Sequence, residues 1–182
     1  MAIATIVLFG LIYPLLMTGI AQVLFPRQAN GSLIRQHGVV IGSTLIGQQF
    51  TAARYFHSRP SAAGKGYDAS ASGGSNLGPT NRALVRTVQG RIEAVRKEKP
   101  TLGKVPVDMV TSSASGLDPD ITLANAYAQA PRIARERGIS SARIMQLIRA
   151  NTTSRSLGFL GEPRVNVLRV NRALNAMSRT NR

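Results

Sequence analysis

Cysteine is absent from all 182 residues, which excludes disulfides, thiolate metal sites and cysteine nucleophiles. An extracytoplasmic setting suits such a chain but is not required by it. Tryptophan is absent as well, and aromatic residues make up only 5%, so a core has to come mostly from Val, Leu, Ile and Ala. Acidic residues are scarce: 8 stand against 23 Lys and Arg, a formal charge of +15. A surplus of that size raises nucleic acid or an anionic membrane surface as partners. Its distribution argues against nucleic acid. Most of the cations are Arg scattered singly, as at Arg82, Arg86, Arg91, Arg132, Arg143 and Arg164, and the denser runs Arg96–Lys99 and Arg132–Arg137 are interrupted by Glu. No RNA-binding aromatic motif, zinc-finger spacing or long basic arm occurs. A generic cationic surface, or a face that meets an acidic partner, is the expectation.

Charge is missing altogether from Ala2 to Phe25. A helix over residues 3–25 would rise about 35 Å at 1.5 Å per residue, enough to cross a bilayer with some tilt. A cleaved signal peptide would have a shorter apolar region behind positive charge, and Thr18-Gly19-Ile20-Ala21 is a poor cleavage site, so an uncleaved anchor is expected. Pro14 can kink the helix and Gly19 can admit a neighbouring one. Arg27 and Arg35 follow the segment and no Lys or Arg precedes it. Taken locally, the positive-inside rule would leave the following domain in the cytoplasm.

Residues 26–182 read as one soluble α+β domain. Val39-Val40-Ile41 and Ser43-Thr44-Leu45-Ile46 form two short extended pieces separated by Gly42. From Tyr55 the chain enters a long loop, rich in Gly, Ser and Ala, that runs to Pro79; loops of that length in compact domains are usually functional or disordered. Thr80 or Asn81 caps a helix with Leu84, Val85, Val88, Ile92 and Val95 on one face, closed by Pro100. Val105–Val110 alternates like a strand, with Pro106 at its edge or start. Thr122 caps a helix running through Ala134, bent or split by Pro131 and ended by Gly138. Ser140 or Ser141 starts another helix, with Ile144, Leu147 and Ile148 inward. A short strand Val165-Asn166-Val167 precedes an amphipathic helix carrying Val170, Leu174 and Met177.

Four groups could carry chemistry. Ser72–Gly78 precedes a helix, so its N–H groups could cradle a phosphate, but the Lys and Ser/Thr of a Walker loop are missing; a capped loop is the simpler reading. Asp118 and Asp120 lie close together as acid/base or cation-site candidates, although Asp-Pro is ordinary turn chemistry and helix N-termini welcome acidic residues. His37 and His57 are too few for a metal site without carboxylate help, and polar loop histidines are expected. Ser112, Ser113 and Ser115 lack both the Gly-x-Ser-x-Gly and the Ser-x-x-Lys context of a nucleophile.

Taken in order, Gln28–Leu33, Leu45–Gln48, Tyr55–Ser61, Ser72–Leu77, Val110–Asp118 and Gly161–Val167 resemble the C subunit of the Kdp-type potassium-transporting ATPase across nearly the whole chain. The resemblance implies a bacterial inner-membrane complex. In it a channel-like subunit carries potassium and a P-type ATPase subunit hydrolyses ATP. This chain would be their single-pass, non-catalytic partner with its domain on the extracytoplasmic, periplasmic side. It also implies a catalytic chaperone that raises the ATP affinity of the hydrolysing subunit in a transient ternary complex. Gln129, within Ala128-Gln129-Ala130-Pro131-Arg132, is the implied nucleotide contact; no metal and no tightly bound cofactor are expected. Two features of the chain agree with that division of labour: it lacks the Asp-Lys-Thr-Gly-Thr phosphorylation motif, and a lone helix cannot enclose a pore. A different class of function is an independent membrane-tethered binding module whose cationic surface takes anionic lipid, cell wall or nucleic acid; its binding would weaken steeply with salt.

Overall fold

A computed structural model describes residues 1–100 and 102–180, so the last two residues of the expected soluble domain lie outside the described residues. The chain divides into two compact units, residues 1–45 and 46–182.

The first unit begins with one continuous apolar helix, Ala2–Leu24, whose 23 residues have a mean hydropathy of 2.2 over the most apolar window, with none of that window buried. By length and composition it can cross a bilayer. It consists of α1 (Ala2–Val7), a π-helical turn (Leu8–Ile12) and α2 (Tyr13–Leu24). The widened turn lies just before Pro14, which has no N–H to give the ladder; such local loosening is the usual way a helix accommodates a proline. A short helix α3 (Pro26–Ala29) follows. Asn30 then ties it back by donating to Pro26 O at 2.6 Å and to Gln22 Oε1 at 3.0 Å. Strands β1 (Leu33–Gln36) and β2 (Val39–Ser43) form an antiparallel hairpin. Two expectations need correction here. β2 runs straight through Gly42, and Thr44–Ile46 turns instead of forming a second strand. The Ser43 hydroxyl accepts from Leu45 N at 3.1 Å, a local side-chain bond that competes with the ladder.

The second unit is α+β. Helix α4 (Arg82–Glu98) starts at Asn81, whose side chain accepts from Ala83 N at 2.8 Å. Its expected apolar face forms, but Leu84, Val88, Ile92 and Val95 are only half-buried and Val85 is exposed. Residues Val107–Met109 make a 3-10 turn where alternation suggested a strand. The period-2 pattern came from Pro106 and the buried Asp108, and burial of a carboxylate rather than of Val107 orients the segment. Strand β3 (Asp120–Thr122) leads directly into α5 (Leu123–Arg137), α6 (Ser141–Ala150) follows, and β4 (Thr152–Thr153) and β5 (Arg164–Asn166) precede α7 (Val167–Thr180). The sheet order is β3-β5-β4, antiparallel throughout, with Ile121 opposite Val165.

Pro131 does not split α5, which is continuous. The helix is fixed at both ends: Thr122 Oγ1 accepts from Asn125 N at 3.1 Å, and Gly138 adopts φ 62° so that Ile139 N reaches Ala134 O at 3.0 Å. These ends outweigh the one ladder bond that proline removes. The core joins α5, α6, α7 and the sheet through Ile121, Ile133, Ile144, Ile148, Val165, Val170 and Leu174, and one loop aromatic, Phe56, enters it fully buried. Burying a Phe side chain contributes about 2–3 kcal/mol, so the loop that begins at Tyr55 is bound to the core at its start.

Candidate functional site

No regular strand or helix contains residues 53–57, yet side chains from two helices hydrogen-bond four of these five residues along the backbone. Asn171 of α7 accepts from Phe56 N at 2.8 Å and donates to Phe56 O at 2.9 Å. Gln129 of α5 does the same for the next residue, accepting from His57 N at 2.7 Å and donating to His57 O at 3.0 Å. Arg132 donates to Ala53 O, and Arg137 to Arg54 O at 2.8 Å. An extended backbone points successive peptide groups to opposite sides, so two amides gripping consecutive residues act like strand neighbours on either flank.

The Gln129 amide is saturated. Its oxygen also accepts from Arg132 at 2.8 Å, and its nitrogen also donates to Asn125 Oδ1 at 2.8 Å. With the residue 2% exposed, all four hydrogen-bonding positions of the amide are occupied. Asn125 in turn donates to Asp108 Oδ2 at 3.0 Å, and the same buried carboxylate accepts from Thr122 N and Thr122 Oγ1 at 2.8 and 3.0 Å. A continuous polar chain therefore runs from the 3-10 turn, along one face of α5, to His57.

Beside it lies a cleft of about 410 Å³ lined in part by His57, Arg59, Glu98, Lys99, Gln129 and Arg132. Burial lowers the pKa of Lys99 and of Arg132, with the Glu98 carboxylate working against it in both cases; Arg132 Nε stands 3.3 Å from that carboxylate. Burial, and then the charge of Arg132, also lowers His57 below its ordinary 6.5, so the ring is neutral at pH 7. Its Nε2 lies 3.1 Å from Ala52 O. A nucleotide contact at the Gln129 amide would replace one of these four bonds.

The other candidates from the sequence take structural places. In the Gly/Ser loop, Gly73 N and Ser72 Oγ donate to Ser115 O at 2.8 and 3.1 Å, so the start of this loop is tied to a neighbouring segment. Gly116 makes that approach possible: it has φ 67°, and a Cβ there would sit 2.6 Å from both Ala63 N and Gly73 O. Asp118 pairs with Arg59 at 2.9 Å and accepts from Asp120 N at 3.0 Å, while Asp120 pairs with Arg164 at 2.9 Å. Asp120 thus belongs to strand β3 instead of a turn, the Asp118 side chain makes the one local bond back to Asp120 N, and the cap of α5 is Thr122. Ser113 and Ser115 hydroxyls face each other at 3.4 Å. His37 sits at φ 51° in the β1–β2 turn. Among the described residues no three His, Asp or Glu side chains converge as a metal ion would need.

Sequence reasoning missed Asn171, Asn125, Asp108 and the structural role of Arg132. The signal was available for two of them. Asn171 falls on the apolar stripe of α7 with Val167, Val170 and Leu174, and Asn125 shares a face of α5 with Gln129 and Arg132; a polar residue on a buried face implies a partner.

One helix able to cross a bilayer, joined to a small α+β unit whose buried polar groups hold its own backbone, is the build of a single-span accessory chain. The family described as KdpC, K+-transporting ATPase, c chain, matches residues 1–176. The potassium-transporting ATPase KdpC subunit of Acidobacterium capsulatum is 62% identical over 175 residues, covering 96% of this chain and 94% of its own length. That of Koribacter versatilis is 58% identical over 94% of this chain and 88% of its own, and that of Mycobacterium tuberculosis 57% over 94% and 92%. This chain belongs to the KdpC family.

Two outcomes are expected of this site. Asn171→Ala and Gln129→Ala each leave two backbone groups without partners and should each cost about 2–4 kcal/mol, read by thermal unfolding, with new proteolytic cleavage between Tyr55 and Arg59. Unchanged stability in both would dismiss the clamp. The second outcome concerns pH. Because the folded pKa of His57 lies below 6.5, the unfolded chain protonates first as pH falls. Its contribution is intact above 6.5 and is lost as pH drops through the folded value. The melting temperature should therefore fall between pH 7 and pH 5, and His57→Asn should flatten that slope.

Proposed function

We propose that the chain is the non-catalytic accessory subunit of an ATP-driven potassium-uptake complex, set beside a channel-like potassium-translocating subunit and a P-type ATPase subunit. Family membership over residues 1–176 carries this reading. The site agrees with it in that the buried amides of Gln129 and Asn171 and the Arg132 guanidinium are engaged with the chain's own backbone.

The helix Ala2–Leu24 anchors the chain in the cell inner membrane, with the domain on the extracytoplasmic side; long domains translocate largely regardless of their charge. The absence of cysteine allows a direct test. Lys65→Cys in an otherwise thiol-free chain should react with a membrane-impermeant maleimide in intact spheroplasts, and labelling only after lysis would reverse the orientation.

The subunit raises the ATP affinity of the hydrolysing subunit in a transient ternary complex, and it does so mechanically. A domain outside the membrane has no access to cytoplasmic ATP, and Gln129 has no free position to offer a nucleotide. Coupling then runs through contacts that differ between two states of the complex. In the purified complex, Gln129→Ala and Asn171→Ala should raise the KM for ATP together and by a similar several-fold factor, because both loosen the same segment. A rise for Gln129→Ala alone, with assembly intact, would mean a direct nucleotide contact. No change in either would remove the chaperone role from this domain.

A further inference from the structure

Two helices bring charge to the cleft beside Gln129, and the charges do not balance. Arg132 of α5 lines it together with Glu98 and Lys99 at the C-terminal end of α4. With 8% of its side chain exposed, Arg132 is fixed on one side by the clamp: Nη1 donates to Ala53 O and Nη2 to Gln129 Oε1, the latter at 2.8 Å. Its Nε is left buried with no hydrogen-bond acceptor among the described residues. Glu98 Oε1 is 3.3 Å away but outside hydrogen-bonding geometry, and half of that side chain is exposed. Arg59, on the wall of the same cleft, repeats the pattern: Nη1 is paired with Asp118 at 2.9 Å, while Nε is buried and unpartnered. A buried guanidinium N–H without an acceptor is costly and rare.

The balance of charge points the same way. Asp118 answers Arg59, whereas Arg132 and Lys99 share the single carboxylate of Glu98. No hydrogen bond or ion pair engages the half-buried Lys99 ammonium among the described residues. One positive charge is therefore left over in a cleft of about 410 Å³ whose walls also include Phe50, Val95 and Met109.

We propose that this cleft is a carboxylate-binding site, in which an incoming monoanionic carboxylate takes the Arg132 Nε–H and the Lys99 ammonium in place of Glu98. Glu98 marks the position, since its own carboxylate lies close to Nε without aligning with the N–H. An aligned carboxylate would form charge-assisted bonds with both cations. A phosphate with its higher charge would exceed the one unanswered cation, and the apolar walls suit a short hydrocarbon body. The site is built from this chain's own side chains and stands apart from the accessory-subunit reading. Its carboxylate comes from a free small acid or from an Asp or Glu side chain of another subunit.

Butyrate titrated into the full chain in nonionic detergent, at constant ionic strength and followed by calorimetry, tests the site. Binding is expected, about tenfold weaker in Lys99→Gln and about fivefold tighter in Glu98→Gln, where the competing carboxylate is gone. No binding, binding unchanged by both substitutions, or phosphate or ATP binding as tightly as butyrate overturns the proposal. The assembled complex separates the two sources, and either result upholds the site. If an acidic side chain fills the cleft, butyrate no longer binds there, and a water-soluble carbodiimide joins Lys99 of the Glu98→Gln chain to an Asp or Glu of a large subunit. If a free acid is the ligand, the complex binds butyrate as the chain does and no such link forms. A chain that assembles with the large subunits yet binds no butyrate in its free form overturns the site and leaves the accessory-subunit reading in place.

Discussion

The second unit depends on a pair of amide side chains gripping an unstructured stretch of backbone. Asn171 and Gln129 hold Phe56 and His57 through both N–H and C=O, and this is what allows Phe56 to enter the core with no regular element of its own. Buried peptide groups need partners. Here side chains on two helices supply them in place of a neighbouring strand, so the start of the long loop is as well anchored as a strand would be. The loop beyond is then free to run over the surface, joined to the Ser113–Leu117 segment by Gly73 and the close approach at Gly116.

The same arrangement explains why α5 carries so many polar residues on a buried face. Asp108, Asn125, Gln129 and Arg132 form one hydrogen-bonded series, which ends at Arg132, whose Nε faces the Glu98 carboxylate at 3.3 Å. A half-satisfied series of this kind is worse than an apolar core, so removing one member damages its neighbours too. Asp108 brings a negative charge to the N-terminal end of α5, where the helix dipole favours it. The series links the start of α5, the Arg132 side of the cleft and the clamped segment through consecutive hydrogen bonds.

Much of this was legible in the sequence, and what was not has a physical cause. The apolar leader, the Thr122 cap and the Gly138 stop are local signals that sit at the expected residues, and the caps left open between Thr80 and Asn81 and between Ser140 and Ser141 fall on Asn81 and Ser140. The strands β1, β3 and β4 span two to four residues, too short to show alternation, and β3 finds its partner β5 more than forty positions away. Val105–Val110 misled because alternation does not reveal that the inward residue is a carboxylate awaiting Thr122 and Asn125. Gln129 was singled out by resemblance alone. That it holds His57, 72 positions away, is a tertiary fact; Asn171 on the apolar stripe of α7 and Asn125 on the face shared with Gln129 and Arg132 were the hints that amides serve the interior.

Amide hydrogen exchange of the full chain in its complex tests the clamp most directly. If Asn171 and Gln129 hold this backbone, the N–H groups of Phe56 and His57 exchange as slowly as those of α5 and α7, although they belong to no helix or strand. Exchange at the rate of the surrounding loop would contradict the account.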